Sequence, residues 1–164
     1  MKERGRLVDS YIDAHKHVFG KRAVVYGEED LVVGLASFLA EIGVKPVVCA
    51  SGGNSGNLQR AITERLGAAQ VEEMTILEDA DFADIADVAE ASQPDFLIGN
   101  SKGYPVARRL QVPLLRVGFP IHDRFGAQRI LHVGYRGTQQ LFDRLVNTLV
   151  EKMQDDSPVG YGQI

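Results

Sequence analysis

The sequence predicts an α/β protein: a doubly wound, Rossmann-like, five-stranded parallel sheet in the order 3-2-1-4-5, with an N-terminal helix and a long C-terminal helix. Three observations lead there. Short β-rich runs alternate with helical segments along the chain; Ala23-Val24-Val25-Tyr26 is continuously apolar, as in a strand buried on both faces; and the chain closes on a long helix with one apolar stripe. Right-handed crossovers with helices on both faces then give the doubly wound order.

The first helix spans residues 2–18, with Leu7, Val8, Tyr11, Ile12 and Val18 near one face and Gly20 as its stop. The alternation continues with strand 23–26, helix 29–42, strand 46–50, helix 57–66, a weak strand 73–77, helix 81–91 and strand 95–99. A short helix 104–110 opened by Pro105, strand 114–118 and helix 137–153 complete it. In that last helix Leu141, Phe142, Leu145, Val146, Leu149, Val150 and Met153 form the stripe. Residues 1–154 read as one domain and 155–164 as a polar tail, with Gly160 and Gly162 marking a frayed end.

Composition narrows the function classes. The 164 residues carry 18 Lys and Arg against 22 Asp and Glu, a formal charge of −4, without a basic run, so neither nucleic acid nor an anionic membrane surface is an expected partner. Met1 leads into Lys2-Glu3-Arg4-Gly5, and no apolar run reaches the length of a membrane span, so a cytoplasmic protein without signal peptide is expected. Cys49, the sole cysteine, lies in a strand as a small buried hydrophobe and cannot by itself build a structural zinc or iron-sulfur site.

In this fold ligands bind beyond the carboxyl ends of the strands, where strand order reverses. Four loops lie there. Gly27-Glu28-Glu29-Asp30 has one glycine where a dinucleotide site has three, and its acids suit a helix N-terminus, with Glu28 and Asp30 as weak candidates for a hard cation. Ser51-Gly52-Gly53-Asn54-Ser55-Gly56 offers an anion-binding nest or simply turn chemistry. Gly99-Asn100-Ser101-Lys102-Gly103 combines cap-forming side chains with a cation.

The fourth loop, Gly118 to Gly126, mixes apolar and ionisable residues, and the long connection beyond it marks it as functional. His122 beside Asp123 does not make a dyad, because adjacent side chains do not normally face one another, and no nucleophile accompanies them. His15 and His17 lack chelating spacing and His132 stands alone. No catalytic residue emerges. The candidate ligand-binding residues are Gly27, Ser51, Gly52, Gly53, Asn100, Ser101, His122 and Arg124.

Specific strings carry a resemblance. The segment Tyr11-Ile12-Asp13-Ala14-His15-Lys16-His17-Val18-Phe19-Gly20-Lys21-Arg22 followed by Tyr26-Gly27-Glu28-Glu29-Asp30 resembles the C-terminal Rossmann-like domain of β-type subunits in the nitrogenase component 1 family. So do Pro94-Asp95-Phe96-Leu97-Ile98-Gly99-Asn100-Ser101, Val112-Pro113-Leu114-Leu115-Arg116-Val117-Gly118-Phe119-Pro120, Asp123-Arg124 and Gly134-Tyr135-Arg136-Gly137, in the same order. Gly134-Tyr135-Arg136-Gly137-Thr138 and loop 51–56 are most similar to the β subunit of the iron-molybdenum cofactor biosynthesis scaffold.

The resemblance implies a non-catalytic structural domain that packs against sister domains and a homologous α subunit in a heterotetramer, shaping a chamber for iron-sulfur precursor maturation. It implies that the parent complex carries iron-sulfur clusters and a cofactor precursor, with none held by this domain alone. Phe125 falls near the histidine that anchors the cofactor in catalytic α subunits, and phenylalanine cannot ligate a metal. Glu28 overlaps a family aspartate near a subunit-bridging cation. Arg116, Arg124 and Arg136 are expected mostly at interfaces, and the domain alone is expected to self-associate through surfaces its sisters would cover. The alternatives are the same domain of the catalytic molybdenum-iron β subunit, or a stand-alone module binding a small anionic ligand through loops 51–56 and 99–103.

Overall fold

The structure, a computed structural model, describes residues 2–159; the expected frayed end at Gly160 and Gly162 lies outside them. Strands β1 (Arg22–Tyr26), β2 (Lys45–Ala50), β3 (Thr75–Leu77), β4 (Phe96–Gly99) and β5 (Leu114–Arg116) form one sheet in the order β3-β2-β1-β4-β5. Every pairing is parallel. The helices are α1 (Lys2–Val18), α2 (Glu29–Glu41), α3 (Leu58–Leu66), α4 (Ala68–Val71), α5 (Phe82–Ser92), α6 (Tyr104–Arg109) and α7 (Gly134–Asp156). Among the described residues no helix is long and apolar enough to cross a membrane.

Strands β1, β2, β4 and β5 bury both faces, while edge strand β3 is only partly buried, so the core has two halves. Ala23 and Val25 of β1 turn toward α1, α2, α3 and α7, while Val24 and Tyr26 turn toward α5 and α6. That alternation places helices on both sides of the sheet, as double winding requires. At the amino ends of β1 and β4, Asp95 accepts from the Arg22 amide at 2.7 Å and from Lys21 Nζ at 3.0 Å, locking the two strands in register. Asp81 accepts from the Ala83 and Asp84 amides at 2.7 and 3.0 Å, and Asp84 reaches back to the Asp81 amide, a capping box that starts α5.

Several elements differ from the sequence reading. Leu7 and Val18 of α1 are buried, whereas Val8 and Ile12 are 45% and 71% exposed. Apolar residues at 7, 8, 11 and 12 straddle a helix, and the sheet and α7 take only the side bearing Leu7, Tyr11, Ala14 and Val18. Tyr11 meets Phe142 of α7 edge-on, ring centroids 4.9 Å apart. β5 is shorter than expected, and α4 was not foreseen.

α7 starts three residues earlier and ends three later than the expected helix 137–153, and Met153, assigned to its apolar stripe, is 43% exposed. The early start depends on Gly137, where a Cβ would stand 2.9 Å from the His132 backbone. The arriving chain crosses the first turn of the helix there, and any side chain would obstruct it.

Candidate functional site

At the point where strand order reverses, a side chain fills the crevice. Tyr26 ends β1 with its ring against Gly99 and Gly103, and its hydroxyl donates to the Asn100 carbonyl at 2.6 Å. A Cβ on Gly99 would lie 2.5 Å from the Tyr26 carbonyl oxygen and 2.6 Å from its ring, and one on Gly103 would overlap the hydroxyl. Phe82 packs edge-on against the same ring at 5.3 Å. Burial pushes the phenol well above its usual range, so Tyr26 is a neutral hydrogen-bond donor at any physiological pH. On the opposite face Leu31 of α2 fits beneath Gly27 and Gly118, at 3.5 and 2.6 Å from where their Cβ atoms would be. Both glycines have positive φ, so they are favoured by conformation and by space.

The glycine-rich loop is a nest whose anion comes from the chain itself. Ser51, 2% exposed, accepts the Gly53 amide on its hydroxyl at 3.0 Å, while Glu29 of α2 accepts the Ser55 amide at 3.2 Å and lies against Gly53. Gly52 stands 3.8 Å, by its would-be Cβ, from the Ala80 carbonyl. The first free amide of α3, on Leu58, goes to the Glu78 carboxylate at 2.5 Å. Two carboxylates thus take two of the amides that a phosphate would need.

The third and fourth loops are joined. Asn100 accepts the Lys102 amide on its side-chain oxygen at 3.1 Å and donates its amide to the Phe119 carbonyl at 3.1 Å. The Ser101 amide donates to Pro120 at 3.0 Å, and the His122 amide to the Ser101 hydroxyl at 3.3 Å. That hydroxyl donates in turn to Asp123. Asp123 also receives Arg116, whose Nε lies 2.9 Å from both carboxylate oxygens and whose Nη2 is 2.6 Å from Oδ2. The Arg116 guanidinium, first, and Ser101 hold the Asp123 carboxyl well below the usual carboxylate range.

The expectation that Arg116 faces an interface is therefore corrected: it is 8% exposed and bound internally. Arg124 donates to the Asp123 carbonyl at 2.6 Å, and Arg136, far from both, reaches Glu3 at 3.4 Å. Of the residues singled out from sequence, Asn100, Ser101, His122 and Arg124 come together in this network. Ser51, Gly52 and Gly53 form a separate loop, and Gly27 lies against Leu31. Arg116 and Asp123 complete the site without standing among the residues singled out from sequence, since adjacency of Asp123 to His122 gives no sign of its pairing with Arg116.

Glu28 caps α2 through its backbone, and Asp30 accepts its neighbour's amide at 2.9 Å. Among the described residues no three His, Cys, Asp or Glu side chains converge on a point. Cys49 is fully buried and desolvation pushes its thiol up to about 12, so it offers no thiolate to an iron-sulfur cluster. The residues present do not fit such a group.

The chain matches the family described as Nitrogenase component 1 type Oxidoreductase over residues 1–150. It is 37% identical over 153 residues to the nitrogenase molybdenum-iron protein beta chain of Methanothermobacter thermautotrophicus, covering 93% of this chain and 33% of that one. Against the nitrogenase molybdenum-iron protein beta chain of Azotobacter vinelandii it is 35% identical over 164 residues, covering 95% and 31%. A solved structure titled "Nitrogenase Cp1 at pH 6.5" superposes with a TM-score of 0.93 at 30% identity, over 99% of this chain and 36% of that one. The chain spans about a third of the length of the curated relatives it matches. With its motifs in order, its sheet shared and the match running from residue 1 to 150, the chain belongs to the nitrogenase component 1 family.

Proposed function

We propose that this is a non-catalytic structural domain of a β-type component 1 subunit, packing against sister domains and a homologous α subunit of a cytoplasmic heterotetramer. The observation that carries it is a run of large apolar side chains left in solvent beyond the carboxyl edge of the sheet. Phe119 is 67% exposed, Phe125 99%, Leu131 55%, Val133 75% and Tyr135 54%. Such a concentration within one loop and the next helix start is the mark of a surface that a partner covers. The filled crevice and the chain's own carboxylates in the glycine-rich loop argue against the stand-alone module that would bind an anion through loops 51–56 and 99–103.

Within that role the parent complex matures an iron-sulfur cofactor precursor, as the Gly134-Tyr135-Arg136-Gly137-Thr138 string supports. Clusters and precursor are then held outside this domain, and Glu28 and Asp30 meet a cation only at the assembled interface. A second reading, the catalytic molybdenum-iron β subunit, is favoured by the names of the relatives.

Coexpression tests the structural role. The chain should co-purify with the amino-terminal two-thirds of a β-type component 1 subunit together with its α subunit, and Phe125→Ser should weaken recovery. Failure of the chain to associate with either would overturn the role. Loading the resulting complex separates the readings: reduction of a substrate points to the catalytic subunit, and transfer of a precursor to an apo-enzyme points to the scaffold.

A further inference from the structure

The open edge of the sheet carries two unanswered donors. Among the described residues β5 pairs only with β4, and the Leu97 amide donates to Pro113 at 2.9 Å while the Val117 amide donates to Gly99 at 2.8 Å. In that parallel register residues 113, 115 and 117 address β4, so Leu114 and Arg116 turn their backbone groups outward. Their carbonyls are taken. Arg116 Nη1 donates to the Leu114 oxygen and Arg144 Nη2 to the Arg116 oxygen, each at 3.3 Å. Their amides find no acceptor among the described residues and face out from the open edge. Outward amides of an edge strand are free to donate to an acceptor from outside the chain.

The edge opens on a cavity of about 710 Å³ between α6 and α7, whose lining includes Arg108, Arg116, Arg124 and Arg144. That volume lies in the range of roughly 300–1,000 Å³ typical of small-molecule sites. Asp123 is the only carboxylate on Arg116 and Arg124, and Arg144 has none among the described residues. The acids of the lining, Glu151 and Asp155, stand farther along α7, about 10 and 16 Å from Arg144 along the helix axis. The end of the cavity near Arg116 is therefore rich in guanidinium and amide donors.

We propose that this edge cavity binds a small molecule bearing a carboxylate or phosphate group, which accepts from the Leu114 and Arg116 amides and pairs with Arg124 and Arg144. An added β-strand fits less well, because it would need the edge carbonyls that guanidinium groups already occupy. The proposal does not depend on a role in a component 1 assembly.

The test is a titration of the ¹⁵N-labelled chain with pyrophosphate and, separately, citrate, each to about 10 mM. Saturable shifts of the Leu114 and Arg116 amides are expected, the two arms distinguishing phosphate from carboxylate. Arg144→Gln should weaken binding about tenfold and the exposed Arg124→Gln several-fold, Arg144→Lys should restore most of the loss, and Arg60→Gln on α3 should change nothing. Absence of saturable shifts at both amides with either probe, or shifts unchanged in both glutamine variants, overturns the proposal. Tighter binding of a neutral extended peptide along β5 overturns it in favour of strand addition.

Discussion

Arg116 at the end of β5 and Asp123 in the loop beyond it form a two-pronged ion pair, Nε 2.9 Å from both carboxylate oxygens and Nη2 2.6 Å from one. Ser101, from the loop after β4, donates to the same carboxylate. The loop after β4 is thus fastened to the end of β5 and the loop beyond it by one acid.

Asp123→Asn should lower stability at neutral pH by about 2–4 kcal/mol, since it leaves a buried guanidinium without its counter-charge. The folded carboxyl titrates below its unfolded value, so its contribution is full above about pH 4 and is lost as pH falls through and below that. Urea melts of both proteins at a series of pH values should show the gap closing on the acid side. A gap that persists unchanged below about pH 3 would mean the pair is not its source.

Glycines at the carboxyl edge should differ sharply in their tolerance of alanine. At Gly103 a methyl group would meet the Tyr26 ring and hydroxyl, held by Phe82 and the Asn100 carbonyl, and a cost of about 2–4 kcal/mol is expected. At Gly53 it would meet only the end of the Glu29 side chain, which can swing away, so the cost should stay near 1 kcal/mol. Thermal melts of the two variants rank them directly.

Cys49 should resist thiol reagents in the folded protein. Its sulfur is fully buried in β2 and burial keeps it protonated, with the thiol near 12. Ellman's reagent should label it only after denaturation, at a rate set by unfolding. Immediate labelling of the native chain would contradict the packing of this strand.

Phe125→Ser should reduce self-association in sedimentation velocity without lowering the melting temperature, because the ring is 99% exposed. A loss of stability comparable to that of a core substitution would show instead that the ring packs internally.

The fold was legible where both faces of a strand are buried. Ala23 to Tyr26 announces a parallel strand by being apolar throughout, and the alternation of elements then leaves one topology. What escaped was set by partners distant in sequence. Val8 and Ile12 have the same apolar character as Leu7 and Tyr11, and only the position of α7 decides which pair is buried. The nest at 51–56 could be read from its glycines, but the acid that fills it comes from α2. His122 drew notice by adjacency to Asp123, while the pairing of Asp123 with Arg116 and Ser101 requires the sheet to be assembled first.

The Tyr26 ring has a consequence for assembly. In a Rossmann sheet with an open crevice, the loops around it are ordered by whatever molecule arrives. Here an intramolecular aromatic group does that ordering during folding: it fixes Gly99, Asn100 and Gly103, and Asn100 and Ser101 in turn fix the loop leading to Phe125. A protein partner docking on that edge meets a preorganised surface, so little conformational entropy is left to lose on contact. The tyrosine thereby sets the arrangement of the loops at this end of the sheet within the fold itself, before any partner arrives.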